Sequence, residues 1–184
     1  EYSLIVTQRG GLLRYRMGDL VRCERRMRAT PTLRFLGRTR EVTDLVGEKL
    51  HERFVRDALD RLPETAGAFS FLVPVARPGE APHYVCVTDG LADAAGDRGG
   101  ERRARRETLV REQERLLDRE LQQAVQYGAA RGLGQLGGVE ILPCHDAKER
   151  FTRLYLGRGM RWGDIKCSAL VDSVTETELE ALIS

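Results

Sequence analysis

Two short runs, Phe69 to Val75 and Tyr84 to Thr88, constrain the fold most. They are rich in β-branched and aromatic residues, too short for buried helices, and separated by a Pro/Gly-containing stretch from Ala76 to Pro82. This combination predicts an antiparallel pair of strands joined by a loose hairpin loop. Such a pair needs cover, and the flanking sequence supplies it. From Glu48 onward, Leu50, Phe54, Val55, Ala58, Leu59 and Leu62 keep the spacing of an amphipathic helix that ends before Pro63. Leu109, Leu116, Leu117, Leu121, Ala124 and Val125 keep it again, predicting one long helix over Arg105 to Val125 with its apolar side inward, followed by a shorter one over Tyr127 to Arg131. Thr43 to Val46 and Val139 to Leu142 read as further strands. Asp146 is placed to cap a helix carrying Phe151, Leu154 and Tyr155, and Thr175 to Glu178 enters a last helix with Leu179, Leu182 and Ile183. The expected class is α/β (α+β), a small mixed β-sheet flanked by helices.

The first part of the chain reads differently. Leu4 to Thr7 and Leu12 to Arg16 predict a hairpin around Arg9-Gly10-Gly11, and Leu12 to Arg16 alternates apolar and basic residues as a half-buried strand does. Gly18-Asp19 is a turn signal, expected to reverse the chain into Leu20 to Cys23; Leu33 to Leu36 is a further strand, and Glu24 to Pro31 a solvated polar loop. An ionised Asp accepts several hydrogen bonds, so a vicinal diol such as a ribose suits Asp19. For an isolated Gly-Asp, however, stabilisation of its own turn is the commoner role.

With 184 residues, the chain has room for one ordinary domain, or for one domain plus the remnant of another. Its 30 basic and 28 acidic residues nearly balance, so overall electrostatics argue for neither nucleic acid nor an anionic membrane as a partner, and none is expected. The arginines 102, 103, 105 and 106 are diluted by Glu101 and Glu107 and have no interleaved aromatics, so they read as a solvated helix face. Asp89 to Gly100, with little to bury, reads as a mobile loop. Cys23, Cys86, Cys144 and Cys167 form no C-x-x-C pair, which suggests neither a zinc ribbon nor a disulfide framework and makes a reducing cytoplasm the expected compartment. No targeting pattern opens the chain, and no apolar run approaches the ~18 residues of a spanning helix. Cys144-His145-Asp146 invites a nucleophile reading, but neighbours at a strand end point to opposite sides. His51 and His83 lack partners at ligand spacing, so no protein metal site is expected.

Several stretches carry a family resemblance in order along the chain. They are Arg14-Tyr15-Arg16-Met17-Gly18-Asp19-Leu20-Val21, Arg34-Phe35-Leu36-Gly37-Arg38, Glu41 to Leu50, Leu117-Asp118-Arg119-Glu120-Leu121, Ala129 to Leu136, and Trp162-Gly163-Asp164-Ile165-Lys166. Together they resemble the segment of adenylate-forming enzymes that ends the large domain and hinges to the small one, above all in the Gretchen Hagen family of acyl acid amido synthetases. The resemblance implies that residues 1–37 are the C-terminal end of a large adenylation domain and residues 38–184 a small lid domain. The phosphate loop, the adenine-contacting motif and the acyl pocket would then precede Glu1, and this polypeptide alone is expected to be inactive.

The resemblance also implies ATP and Mg²⁺, a small carboxylic acid, an amino acid or thiol acceptor, and a missing N-terminal adenylation domain as partner. Lys166 stands where the superfamily keeps its catalytic lysine; the usual Gln or Tyr before it and Pro-Arg after it are here Asp164-Ile165 and Cys167-Ser168. Asp19 would hold the ribose hydroxyls and Arg38 the ribose or phosphate, while Lys49 would approach the substrate or acceptor. The expected activity is ligation of an acid to an amino acid or amine. A CoA or carrier-thioester ligase, and a non-catalytic module binding an anion or nucleic acid, are the alternatives.

Overall fold

The computed structural model describes residues 2–38, 42–92 and 100–183. The chain divides into two units, residues 1–42 and 43–184. The first is a three-stranded antiparallel sheet in the order β1-β2-β3, built from Tyr2–Gln8 (β1), Leu12–Met27 (β2) and Thr30–Arg38 (β3). The hairpin at Arg9 to Gly11 forms as expected, with Gly11 at φ 101°.

Gly18-Asp19 does not turn the chain. Ser3 opposes Leu20 and Ile5 opposes Arg16, so Met17 to Asp19 form a bulge inside one continuous strand. The positive φ that glycine permits is used here, at 76°, but to kink β2 without ending it. The reversal comes later. Met27 opposes Thr30 across Arg28-Ala29, so Glu24 to Pro31, expected as a polar loop, is the tip of a hairpin. Pro31 is tolerated because β3 is an edge strand. Tyr2, Leu13, Tyr15, Leu33 and Phe35 of this unit are exposed, and Val21 is its one buried apolar side chain among the described residues.

The second unit is layered. Ser70–Val75 (β6) and His83–Thr88 (β7) pair antiparallel, and Glu140–Pro143 (β8) runs parallel to β7, giving the mixed sheet β6-β7-β8. Alternate residues point to opposite faces. Leu72, Tyr84, Cys86 and Ile141 join one core with Val55, Ala58 and Leu59 of α1 (Glu52–Asp60), Leu117 and Leu121 of α2 (Gly100–Leu121), and Tyr127 of α3 (Val125–Gly132). Phe71, Val73, Val75, Val85 and Val87 join a second core with Phe151 and Leu154 of α4 (Ala147–Gly157) and Leu179 and Leu182 of α5 (Glu176–Ile183). Val42–Thr43 (β4) and Leu50–His51 (β5) form a separate two-stranded ribbon, so the strand expected over Thr43 to Val46 is shorter and the helix expected from Glu48 starts at Glu52.

The long helix also stops short of its expected end. It breaks at Leu121, and Val125 opens the next helix with its side chain 83 % exposed, because the new axis turns it out of the apolar stripe. Gly128 makes the junction possible: a Cβ there would lie 2.9 Å from the Gln122 carbonyl oxygen. The loop expected over Asp89 to Gly100 is not wholly polar, since Leu91 and Ala92 are buried; residues 93–99 lie outside the described residues.

A buried carboxylate locks the segment before β5. Glu48 is fully buried; its two oxygens accept the Leu45 and Val46 backbone N–H groups at 2.8 Å each, and one also accepts the Tyr84 hydroxyl. The Tyr84 oxygen in turn lies 2.9 Å from the Thr43 hydroxyl. Burial, then the Glu48 carboxylate, push the Tyr84 phenol well above its ordinary range, so it stays a donor. Removing the Tyr84 hydroxyl leaves a buried carboxylate short of one donor. Tyr84→Phe is therefore expected to lower stability by about 2 kcal/mol, read from the urea midpoint at unchanged slope.

Candidate functional site

In the first unit, Asp19 sits half-buried at the bulge, in a register that sets it opposite Arg38 on β3. The two residues assigned to the nucleotide are thus brought together as backbone neighbours; the Arg38 side chain lies outside the described residues. The bulge re-aims the strand at this point, which a regular strand would not do.

In the second unit, Lys166 is exposed on the loop that follows α4. Gly159 takes φ 80° as the helix ends, and the Met160 N–H returns to the Tyr155 carbonyl at 3.0 Å. Trp162–Asp164 make a turn of 3₁₀ helix, after which Ile165 packs against the core shared with α4 and α5. Beyond Lys166 the chain is caught on the edge of β6: Leu72 donates to Ala169 and Val171 to Leu72, both at 2.9 Å, and the Ala169 N–H donates to Glu52 at 3.0 Å. The loop is tied at both ends, and Lys166 lies between the ties. Trp162 is 73 % exposed on the same loop.

The helix end that launches this loop is held by an arginine the sequence reading passed over. Arg158 donates through Nε to one Glu178 oxygen at 2.8 Å and through a terminal nitrogen to the other at 3.1 Å, reaches Asp172 at 3.4 Å, donates to the Ser173 carbonyl, and lies 5.4 Å from the Tyr155 ring centroid. Glu178 also closes a capping box with Thr175, accepting its N–H at 2.8 Å while the Thr175 hydroxyl accepts that of Glu178. The Thr-x-x-Glu spacing is the signal by which this box could have been found, though the sequence reading took it only as the entry to a helix; the Arg158 fork had no sequence signal, because twenty residues separate the partners.

A second fork joins two of the stretches that carried the resemblance. Arg131 donates through Nε to Asp118 at 2.9 Å and through a terminal nitrogen at 3.0 Å, Tyr127 donates to Asp118 at 2.8 Å, and Arg131 reaches the Leu136 carbonyl at 2.9 Å. Burial pushes the Asp118 carboxyl up, but these donors outweigh it and the net displacement is downward.

Lys49 is exposed and takes φ 47°, a conformation that costs a non-glycine residue energy and is fixed here by its buried neighbour Glu48. Cys144 is buried while His145 is exposed, so the two do not form a dyad. Asp146 precedes α4 but makes no capping bond; it accepts from Arg150 Nε at 2.7 Å instead. Among the described residues no group of three or more His, Cys, Asp or Glu side chains is placed to hold a metal ion, and no helix is long and apolar enough to cross a membrane. The side chains of Arg102 and Arg103 lie outside the described residues.

These features define an α/β chain with an exposed lysine on a loop tied at both ends and a separate bulged sheet, and comparison with known proteins shows what it is similar to. Residues 1–38 match the GH3 family central domain. The indole-3-acetic acid-amido synthetase GH3.8 of Oryza sativa subsp. indica is 29 % identical over 101 residues, which is 52 % of this chain and 17 % of that protein. The GH3 domain-containing protein of Homo sapiens is 33 % identical over 92 residues, 46 % of this chain and 17 % of its own length. The solved structure of the acyl acid amido synthetase AtGH3.15 in complex with 2,4-DB shares the fold with a TM-score of 0.64 at 20 % identity, covering 98 % of this chain and 32 % of that one. A second structure of GH3.15 gives 0.62 at 21 %, over 98 % and 31 %. The resemblance to the GH3 (Gretchen Hagen) acyl acid amido synthetases is therefore borne out, and so is the α/β fold read from the sequence. The chain spans about a sixth of the length of the curated relatives it matches.

Glu178 is held down to about 2, first by the Arg158 fork and against burial. A carboxyl depressed on folding adds stability that is complete above its unfolded pKa, near 4.5, and is lost as pH falls toward 2. Carboxyl titration by NMR is expected to place the Glu178 midpoint far below that of an exposed Glu, and Arg158→Gln to raise it toward the ordinary range, short of it by what Thr175 still contributes.

Proposed function

We propose that this chain is part of an ATP-dependent ligase that activates a carboxylic acid as its acyl-adenylate and transfers the acyl group to an amino acid or amine. The observation that carries this reading is the match of residues 1–38 to the GH3 family central domain. The fold shared with an acyl acid amido synthetase over 98 % of the chain supports it. On this reading the first unit ends the large adenylation domain, and the second is the small lid domain.

In the first half-reaction a carboxylate oxygen of the acid attacks the α-phosphorus of ATP, and pyrophosphate leaves. Negative charge gathers on the phosphoryl oxygens, and a fixed cation offsets it. Lys166 supplies that cation from its tied loop. Asp19 accepts hydrogen bonds from the ribose hydroxyls, and Arg38 contacts the ribose or a phosphate with a charge-assisted bond. Mg²⁺, when bound with ATP, would supply further neutralisation of phosphate charge. In the second half-reaction the amine nitrogen attacks the acyl carbon, the C–O bond to phosphate breaks and AMP departs. Lys49, held outward by its constrained backbone, approaches the acceptor.

The test uses the longer protein that carries this chain, in acid-dependent pyrophosphate exchange. Lys166→Ala is expected to reduce exchange by about 10²-fold or more, the scale of losing one fixed transition-state charge partner, with an unchanged melting temperature. Asp19→Asn is expected to weaken ATP use more than acid use. Exchange that survives Lys166→Ala at full rate removes the lysine from the chemistry.

A further inference from the structure

Between α4 and α5 lies a cavity of about 230 Å³, lined by Arg150, Arg153, Leu154, Gly157, Ala181 and Leu182, with Thr177 and Glu178 at its edge. Its floor is apolar. Leu154 and Leu182 are buried, and Gly157, lacking a Cβ, leaves open space where any other residue would project. The volume is below the ~300–1,000 Å³ of drug-sized sites, which limits an occupant to a short chain or a single ring.

The charges at the rim are not equivalent. Glu178 is neutralised by the Arg158 fork. Arg150 donates to Asp146 at 2.7 Å and to the Leu182 carbonyl at 2.5 Å, so its charge is already paired with a carboxylate. Arg153 lends its field to Asp146 but forms no ion pair among the described residues. The rim therefore keeps one positive charge, that of Arg153, with no ion pair among the described residues, beside an apolar floor. A guanidinium in that position selects a carboxylate, which it can hold through two parallel bonds, and the floor selects an apolar body.

We propose that this α4–α5 cavity is a binding site for a small monocarboxylate with an apolar body, its carboxylate on Arg153 and its body over Leu154, Gly157 and Leu182. The site belongs to the second unit and does not depend on the ligase reading. Occupancy there bears on the Lys166 loop, because Gly157 ends α4 and Arg158 begins that loop.

The probe is octanoate, with octanol as its uncharged counterpart, titrated calorimetrically into the whole chain. Octanoate is expected to bind at one site, with backbone NMR shifts concentrated at Arg153, Gly157 and Ala181, and octanol to bind at least about tenfold more weakly. Arg153→Glu is expected to abolish octanoate binding. Gly157→Leu, which fills the cavity and raises helix propensity, is expected to abolish binding of both probes without lowering the melting temperature. Binding of octanol equal to that of octanoate, binding retained in Gly157→Leu, or no octanoate binding to the wild-type chain overturns the proposal. Loss of pyrophosphate exchange in the longer protein leaves these titrations unaffected, so the two readings fail separately.

Discussion

A sheet only three strands wide has to be covered on both faces, and the second unit is arranged around that requirement. Neighbouring residues of β6 and β7 feed different cores: Leu72, Tyr84 and Cys86 on one side, Phe71, Val73, Val85 and Val87 on the other. The helices sort accordingly, α1 to α3 against one face and α4 and α5 against the other. The loop bearing Lys166 crosses between these layers. It leaves α4 on one side and is caught, three residues past the lysine, by β6 and by Glu52 of α1 on the other. The lysine is exposed because both layers hold its flanks.

The same requirement explains what could be read from the sequence. Runs buried on both faces are continuously apolar, so Phe69 to Val75 and Tyr84 to Thr88 announced strands without revealing which residues face which way. Helices showed by their stripes, but their ends depended on contacts outside the stripe. The α2 to α3 break rests on Gly128 passing close to the Gln122 carbonyl, a contact that no local pattern encodes. In the first unit the glycine at position 18 was recognised as a place for positive φ, yet a bulge and a turn ask the same of a glycine; pairing with β1 on both sides of it decides between them.

The candidate site was legible to a different degree. The stretches holding Asp19, Arg38 and Lys166 stand out by resemblance, and the register of β2 on β3 sets the first two opposite each other. The residues that fix the surroundings were silent. Glu48 looks like any exposed glutamate in sequence and is the most enclosed carboxylate described, while Arg158 and Arg131 are two among many arginines until their acidic partners, distant along the chain, are seen. Charge pairs of this sort follow tertiary geometry, and a basic-rich composition hides them further.

Trp162 is the only tryptophan in the sequence, and its indole faces solvent four positions ahead of Lys166. Ultraviolet emission excited at the red edge of the protein's absorbance therefore comes from one place in the chain, and that place is the lysine's own strand of loop. The molecule carries its own optical gauge of events there, with no dye, no engineered label and no competing signal from either core.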